Sequence, residues 1–148
     1  MPQIEASATS LIPAAPARVY GILADYREGH PAILPPEFFR DFRVVQGGQG
    51  AGTLITFGVR SFGRIQRFRA AVAEPEPGRR LTETDVESGT TTSFTVEPAD
   101  EGRGARVTIA THHRRDGIAG WIERWLAPRF LCRVYAAELA LLAQRATG

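Results

Sequence analysis

Apolar and polar positions alternate in two distinct rhythms along this chain, and the change of rhythm marks its elements. Residues Ile4–Ile12 read as extended, with Thr9, Leu11 and Ile12 suited to a strand and Pro13 ending it. Ala14–Tyr26 then reads as a helix: Pro16 fits its first turn, and Val19, Ile22, Leu23 and Tyr26 recur at helical spacing. Gly29 and Pro31 stop it. His30–Phe39, with Pro31, Pro35 and Pro36 among Ile33, Leu34, Phe38 and Phe39, predicts a short helical turn or an apolar loop.

From Phe42 to His113 the period becomes two. Phe42–Val45, Thr53–Val59, Phe62–Ala73, Leu81–Val86, Thr91–Glu97 and Ala105–His113 read as strands. Glycine- or proline-bearing turns separate them, among them Gly47–Gly52 and Glu74–Gly78. Short turns between successive runs favour an antiparallel meander. Helical spacing returns at Ile118–Leu126, with Ile118, Trp121, Ile122 and Trp125 on one stripe. Pro128 is expected to break or kink that helix before Arg129–Ala146 continues as a long amphipathic one. In this last helix Phe130, Leu131, Val134, Tyr135, Leu141 and Leu142 lie towards one side, opposite Arg129, Arg133 and Gln144.

Size and composition bound the rest. A chain of 148 residues that is 43% hydrophobic and 23% charged fits one globular domain. No apolar stretch reaches the length of a membrane span, and the N-terminus lacks the pattern of a secretory signal, so a cytoplasmic protein without membrane insertion is expected. Every one of the 18 basic residues is arginine, yet the net charge is only +2 and no basic stripe forms, which argues against nucleic acid as a partner. Cys132, the sole cysteine, reads as a small core residue.

The candidate chemistry is sparse. The glycine run Gly47–Gly52 lacks the lysine of a phosphate loop and the spacing of a dinucleotide site, so it reads as a turn. His112 and His113 point to opposite strand faces, and no metal site or cofactor is implied. His30 reads as a solvent-facing loop residue, with a gate or acid–base role as the alternative. Glu83 and Asp85 share a strand face and could act as paired carboxylates, or could be satisfied by water or Arg64 at the rim. No serine sits in a nucleophile elbow.

The order strand, helix, six strands, long helix resembles the helix-grip fold of the START-like superfamily, also called SRPBCC or polyketide cyclase-like. The resemblance runs over nearly the whole chain. It is carried by Ile12-Pro13-Ala14-Ala15-Pro16-Ala17-Arg18-Val19-Tyr20, by Gly47-Gly48-Gln49-Gly50-Ala51-Gly52-Thr53, by Glu74-Pro75-Glu76-Pro77-Gly78-Arg79-Arg80-Leu81 and by Leu126-Ala127-Pro128-Arg129. It implies an α+β fold in which a curved antiparallel sheet of six or seven strands wraps around the last helix and leaves an internal cavity. It also implies binding or carriage of a hydrophobic small molecule such as a lipid, a polyketide or an aromatic compound. Cyclase or aromatase chemistry is the alternative, and a fold alone does not choose between them.

Alternation nominates the residues that face such a cavity. They are Phe57 from the third strand, Arg64, Gln66 and Phe68 from the fourth, Glu83 from the fifth, Phe94 from the sixth and Ile109 from the seventh. Trp125 and Tyr135 join them from the C-terminal helical region. A simple hairpin would set Leu81 opposite Val72. Arg64, Gln66 and Glu83 would then form a polar end to an apolar cavity, with no residue assigned a catalytic role.

Overall fold

A computed structural model describes residues 2–61, 63–114 and 128–148. The elements run β1 (Pro2–Ile12), α1 (Pro16–Ala24), α2 (Gly29–Ala32), β2 (Phe39–Gln46), β3 (Leu54–Ser61), β4 (Arg64–Glu76), β5 (Arg80–Asp85), β6 (Thr91–Ala99), a one-turn 3-10 helix (Asp100–Gly102), β7 (Gly104–Arg114) and α3 (Pro128–Thr147). The seven strands form one antiparallel sheet in the order β1-β7-β6-β5-β4-β3-β2. The expected α+β helix-grip fold is therefore present. The meander runs from β2 to β7, and β1 closes the far side by pairing with β7.

Local chemistry accounts for the boundaries. Pro16 occupies the first turn of α1, where its missing N–H costs nothing. The expected helix to Tyr26 ends two residues early because Asp25 competes for the backbone. Its carboxylate accepts the N–H groups of Arg27 at 3.1 Å, Glu28 at 3.2 Å and Gly29 at 3.2 Å. Burial pulls the Asp25 carboxyl upward, but those three N–H groups together hold it below the usual carboxylate value. The turn folds α2 directly onto α1. Gly29 permits this approach, since a Cβ there would lie 2.6 Å from the Ile22 carbonyl oxygen.

The C-terminal helix buries Leu131, Val134, Tyr135, Glu138, Leu139, Leu142 and Ala146 on one side. It packs along β1 and against α1. Arg18 of α1 ties down its end, donating from Nε to the Ala146 carbonyl at 2.6 Å and from Nη2 to that of Arg145 at 3.3 Å. Val19, Leu23, Leu81, Val107, Ile109 and Leu142 are fully buried between sheet and helices. Pro128 is the first described residue of α3, and the helix expected over Ile118–Leu126, with the break expected between the two, lies outside the described residues.

The glycine-rich segment before β3 serves the fold. Tyr26 N–H donates to the Gly48 carbonyl at 2.9 Å and Gly50 N–H to that of Ala24 at 2.8 Å, docking the loop under the end of α1. Gly50 has φ 55°, and a Cβ there would strike Glu74 Oε2 at 2.5 Å. Glu74 in turn accepts from the Tyr20 hydroxyl at 2.7 Å and from Ala51 N–H at 2.9 Å. No described helix is long and apolar enough to cross a membrane.

Candidate functional site

Between the concave face of the sheet, α2 and α3 lies a cavity of about 90 Å³. Strand alternation builds one wall from aromatic rings. Phe39, Phe42, Phe57 and Phe68 project from β2, β3 and β4, with Ile55 and Ala70 between them. Phe57 and Phe68 stack with ring centroids 5.6 Å apart, and Phe39 tilts onto Phe57 at 5.9 Å. The opposite wall carries His30, Glu83, Thr92, Thr111, Tyr135 and Glu138.

His30 is 1% exposed, which corrects its reading as a solvent-facing loop residue. The fold-back of α2 delivers it inward. Its ring stacks on Tyr26 at 4.4 Å and meets the edge of Phe94 at 5.2 Å. Nδ1 lies 2.7 Å from the Leu23 carbonyl oxygen, which can only accept, so Nδ1 carries a proton. Nε2 then faces Glu83 Oε2 at 3.3 Å. That contact is favourable when one proton lies between the two groups, on either the imidazole or the carboxyl. The Tyr26 hydroxyl donates to the same Oε2 at 2.6 Å. Burial, reinforced by the charge of Glu83, pushes the Tyr26 phenol well above its ordinary value and keeps it a donor.

A second polar group sits deeper. Thr111 and Tyr135 share a hydrogen bond through their hydroxyls, and Thr92 lies 3.3 Å from Thr111 Oγ1. Burial raises the Tyr135 phenol, so it too stays protonated. Glu138, from the middle of α3, is 2% exposed. Burial first, and the charge of Glu83 second, push its carboxyl well above the usual range.

Of the residues nominated from the sequence, Phe57, Phe68, Glu83, Phe94 and Tyr135 line this cavity. Ile109 is fully buried in the core but is not part of the lining. Trp125 lies outside the described residues. Arg64 and Gln66 stand elsewhere. Glu83 pairs with Val72 and Asp85 with Ala70, so β5 ends where β4 still has six residues to run back to Arg64. At about 3.3 Å per residue that places Arg64 roughly 20 Å from Ala70 along the strand. Parity put Arg64 on the Phe68 side, but distance removes it from Glu83, and it is exposed at the strand end. The expected Arg64–Gln66–Glu83 polar end is thus replaced by Tyr26, His30 and Glu83.

The expected pairing of Leu81 with Val72 is also off by two residues along β5, since Val72 pairs with Glu83 and the turn beyond Glu76 closes on Arg80. A two-residue slip keeps every side chain on its face. Asp85, the other half of the suggested carboxylate pair, borders the cavity but is occupied by its turn. It accepts from Ser88 N–H at 2.9 Å, from Ser88 Oγ at 2.8 Å and from Arg69 N–H at 3.3 Å. Sequence reasoning missed Glu138, although it falls seven residues after Leu131 and four before Leu142 on the apolar stripe. A lone carboxylate on that stripe was the available signal.

Comparison with known proteins agrees with this architecture. The solution structure of the KanY protein superposes with a TM-score of 0.84 at 31% identity, covering 100% of both chains. The crystal structure of the Zhui aromatase/cyclase from Streptomyces sp. R1128 gives a TM-score of 0.76 at 18% identity, covering 99% of this chain and 94% of that one. A START superfamily protein from Mycobacterium smegmatis gives 0.72 at 13% identity, covering 98% of each. The last two show a shared fold alone. None of the curated proteins compared with the chain matches it. A family model described as polyketide cyclase / dehydrase and lipid transport matches residues 3–147, and it is to that family that this chain belongs.

Proposed function

We propose that this protein binds a compact, largely apolar small molecule in the cavity between its sheet and α3. The observation that carries this reading is the pairing of an aromatic wall with a facing set of buried hydrogen-bonding groups, an arrangement typical of small-molecule sites. Size narrows the occupant. An enclosed cavity of roughly 150 Å³ takes up benzene. The space of about 90 Å³ bounded here by the described residues is smaller, so a ligand with a ring must extend past these walls.

A second reading, acid–base conversion of the bound molecule, is favoured by the contact of His30 with Glu83. A carboxylate backed by an imidazole can take a proton from a bound substrate, and the cyclase activity named for the Zhui protein is of a kind such a pair could serve. Under this reading Glu83→Gln abolishes turnover while sparing binding.

Native mass spectrometry of the purified chain, with solvent extraction of any retained molecule, tests the binding reading directly. Titration with a fluorescent apolar probe tests it without knowledge of the ligand. Ala70 is buried between the aromatic rings, so Ala70→Trp fills the space and is expected to weaken probe binding about tenfold or more. Absence of probe binding by the folded wild-type protein would overturn the reading.

A further inference from the structure

Among the described residues, Glu138 is the one buried ionisable group of the cavity to which no side chain offers a hydrogen bond. It is 2% exposed, it lines the cavity, and it has no hydrogen bond to any other described residue. Its neighbours are already engaged. The Tyr26 hydroxyl is committed to Glu83, His30 Nδ1 to the Leu23 carbonyl, and Tyr135 to Thr111. The chain contains no lysine, and among the described residues no arginine borders the cavity. Among the described residues His30 is the sole lining side chain able to carry positive charge, and it faces Glu83.

An ionised Glu138 would be a buried, unpaired carboxylate sharing a cavity with a second carboxylate, which the surroundings strongly disfavour. The neutral acid instead turns its O–H to the cavity, and no hydrogen bond to another described side chain engages it. A leucine at this position would continue the stripe of Leu131, Val134 and Leu142 at lower cost. A polar group placed where an apolar one would pack at lower cost is the stability–function trade-off expected of a binding site.

We propose that the Glu138 carboxyl is the ligand-recognition group, donating a hydrogen bond to an uncharged oxygen acceptor, so that the ligand is a carbonyl-bearing apolar molecule rather than a carboxylate or a phosphate. The inference rests on the cavity-binding reading and sharpens it. Among the described residues an anionic ligand would meet Glu83 without a cation to balance it, whereas a ketone, quinone or ester carbonyl satisfies Glu138 and leaves the rest of the molecule to the aromatic wall. Discrimination follows from the unsatisfied donor, because a ligand lacking the acceptor leaves the O–H unpaired in an apolar cavity.

The test uses the full chain and three single-ring probes that differ in one group: acetophenone, ethylbenzene and benzoate. Affinities are measured at pH 7 by displacement of the fluorescent probe. Acetophenone is expected to bind wild type roughly fivefold to tenfold more tightly than ethylbenzene, the range one hydrogen bond supplies, with benzoate weakest. Glu138→Gln, which keeps an N–H donor of the same shape, retains a preference for the ketone. Glu138→Leu brings the ratio of the two affinities to about one. A ratio near one in wild type, or benzoate binding most tightly, would overturn the recognition assignment while leaving the cavity reading in place. Failure of ethylbenzene itself to bind the folded wild type would overturn the cavity reading, and this assignment with it.

Discussion

Across the cavity, the wall of Phe39, Phe57 and Phe68 faces the wall of His30, Glu83, Tyr135 and Glu138, and the two differ in burial as well as in polarity. The aromatic residues are half-buried, whereas His30, Tyr135 and Glu138 are 1%, 5% and 2% exposed. Aromatic rings on a pleated sheet need only volume and parity, so each contributes contact area without depending on one partner. The polar wall works by specific pairing. Tyr26, His30 and Glu83 come from two segments more than fifty residues apart, and removal of one strands the others. An apolar wall supplies affinity with little orientation, and a buried polar wall supplies orientation at a cost in stability.

The largest effect separating the two walls is expected from Glu83→Ala. Loss of the carboxylate leaves the Tyr26 hydroxyl and His30 Nε2 buried without a partner, so unfolding in denaturant should show a loss of about 3 kcal/mol. A loss below 1 kcal/mol would mean that the polar wall is no more interdependent than the aromatic one.

Glu138→Leu is expected to act in the opposite direction, stabilising the protein by about 1–2 kcal/mol through removal of a buried polar group. The pH dependence sharpens this. A carboxyl raised in the folded state binds its proton more tightly there, so its stabilising contribution is complete below the ordinary value of 4.5 and is lost as pH rises towards the folded value. Thermal melts should therefore show wild type losing stability above about pH 4.5 relative to Glu138→Leu. Parallel melting curves for the two proteins across pH 4.5–8 would contradict the buried neutral acid.

The smallest effect is expected from Arg64→Leu. Arg64 is exposed and about 20 Å along β4 from the cavity wall at Ala70, so stability should change by no more than about 0.5 kcal/mol and probe binding not at all. A marked loss of binding would bring Arg64 back into the site and break the division between the walls.

The aromatic wall was the legible half of this site. Phe57 and Phe68 alternate with outward residues such as Thr56 and Arg69, and period-two alternation survives even a two-residue slip of the hairpin. The polar wall was not legible in the same way. His30 sits in a proline-bearing segment that matches solvent-exposed loops, and Tyr26 reads as one more residue of a helical stripe.

The chain's own pattern determined the strands, the long C-terminal helix and the parity that turns Phe57, Phe68, Glu83 and Phe94 inward, because these follow from local periodicity and from turns of a few residues. Tertiary structure alone decided that His30 meets Glu83, that Arg64 does not, and that Glu138 faces the cavity with no hydrogen bond to another described residue. Each of these outcomes depends on where an element lies along its neighbour: the fold-back of α2 at Gly29, the irregular pairing of β4 with β5, and the seating of α3 across the sheet. Periodicity assigns a side chain to a face, and only packing assigns it a position along that face.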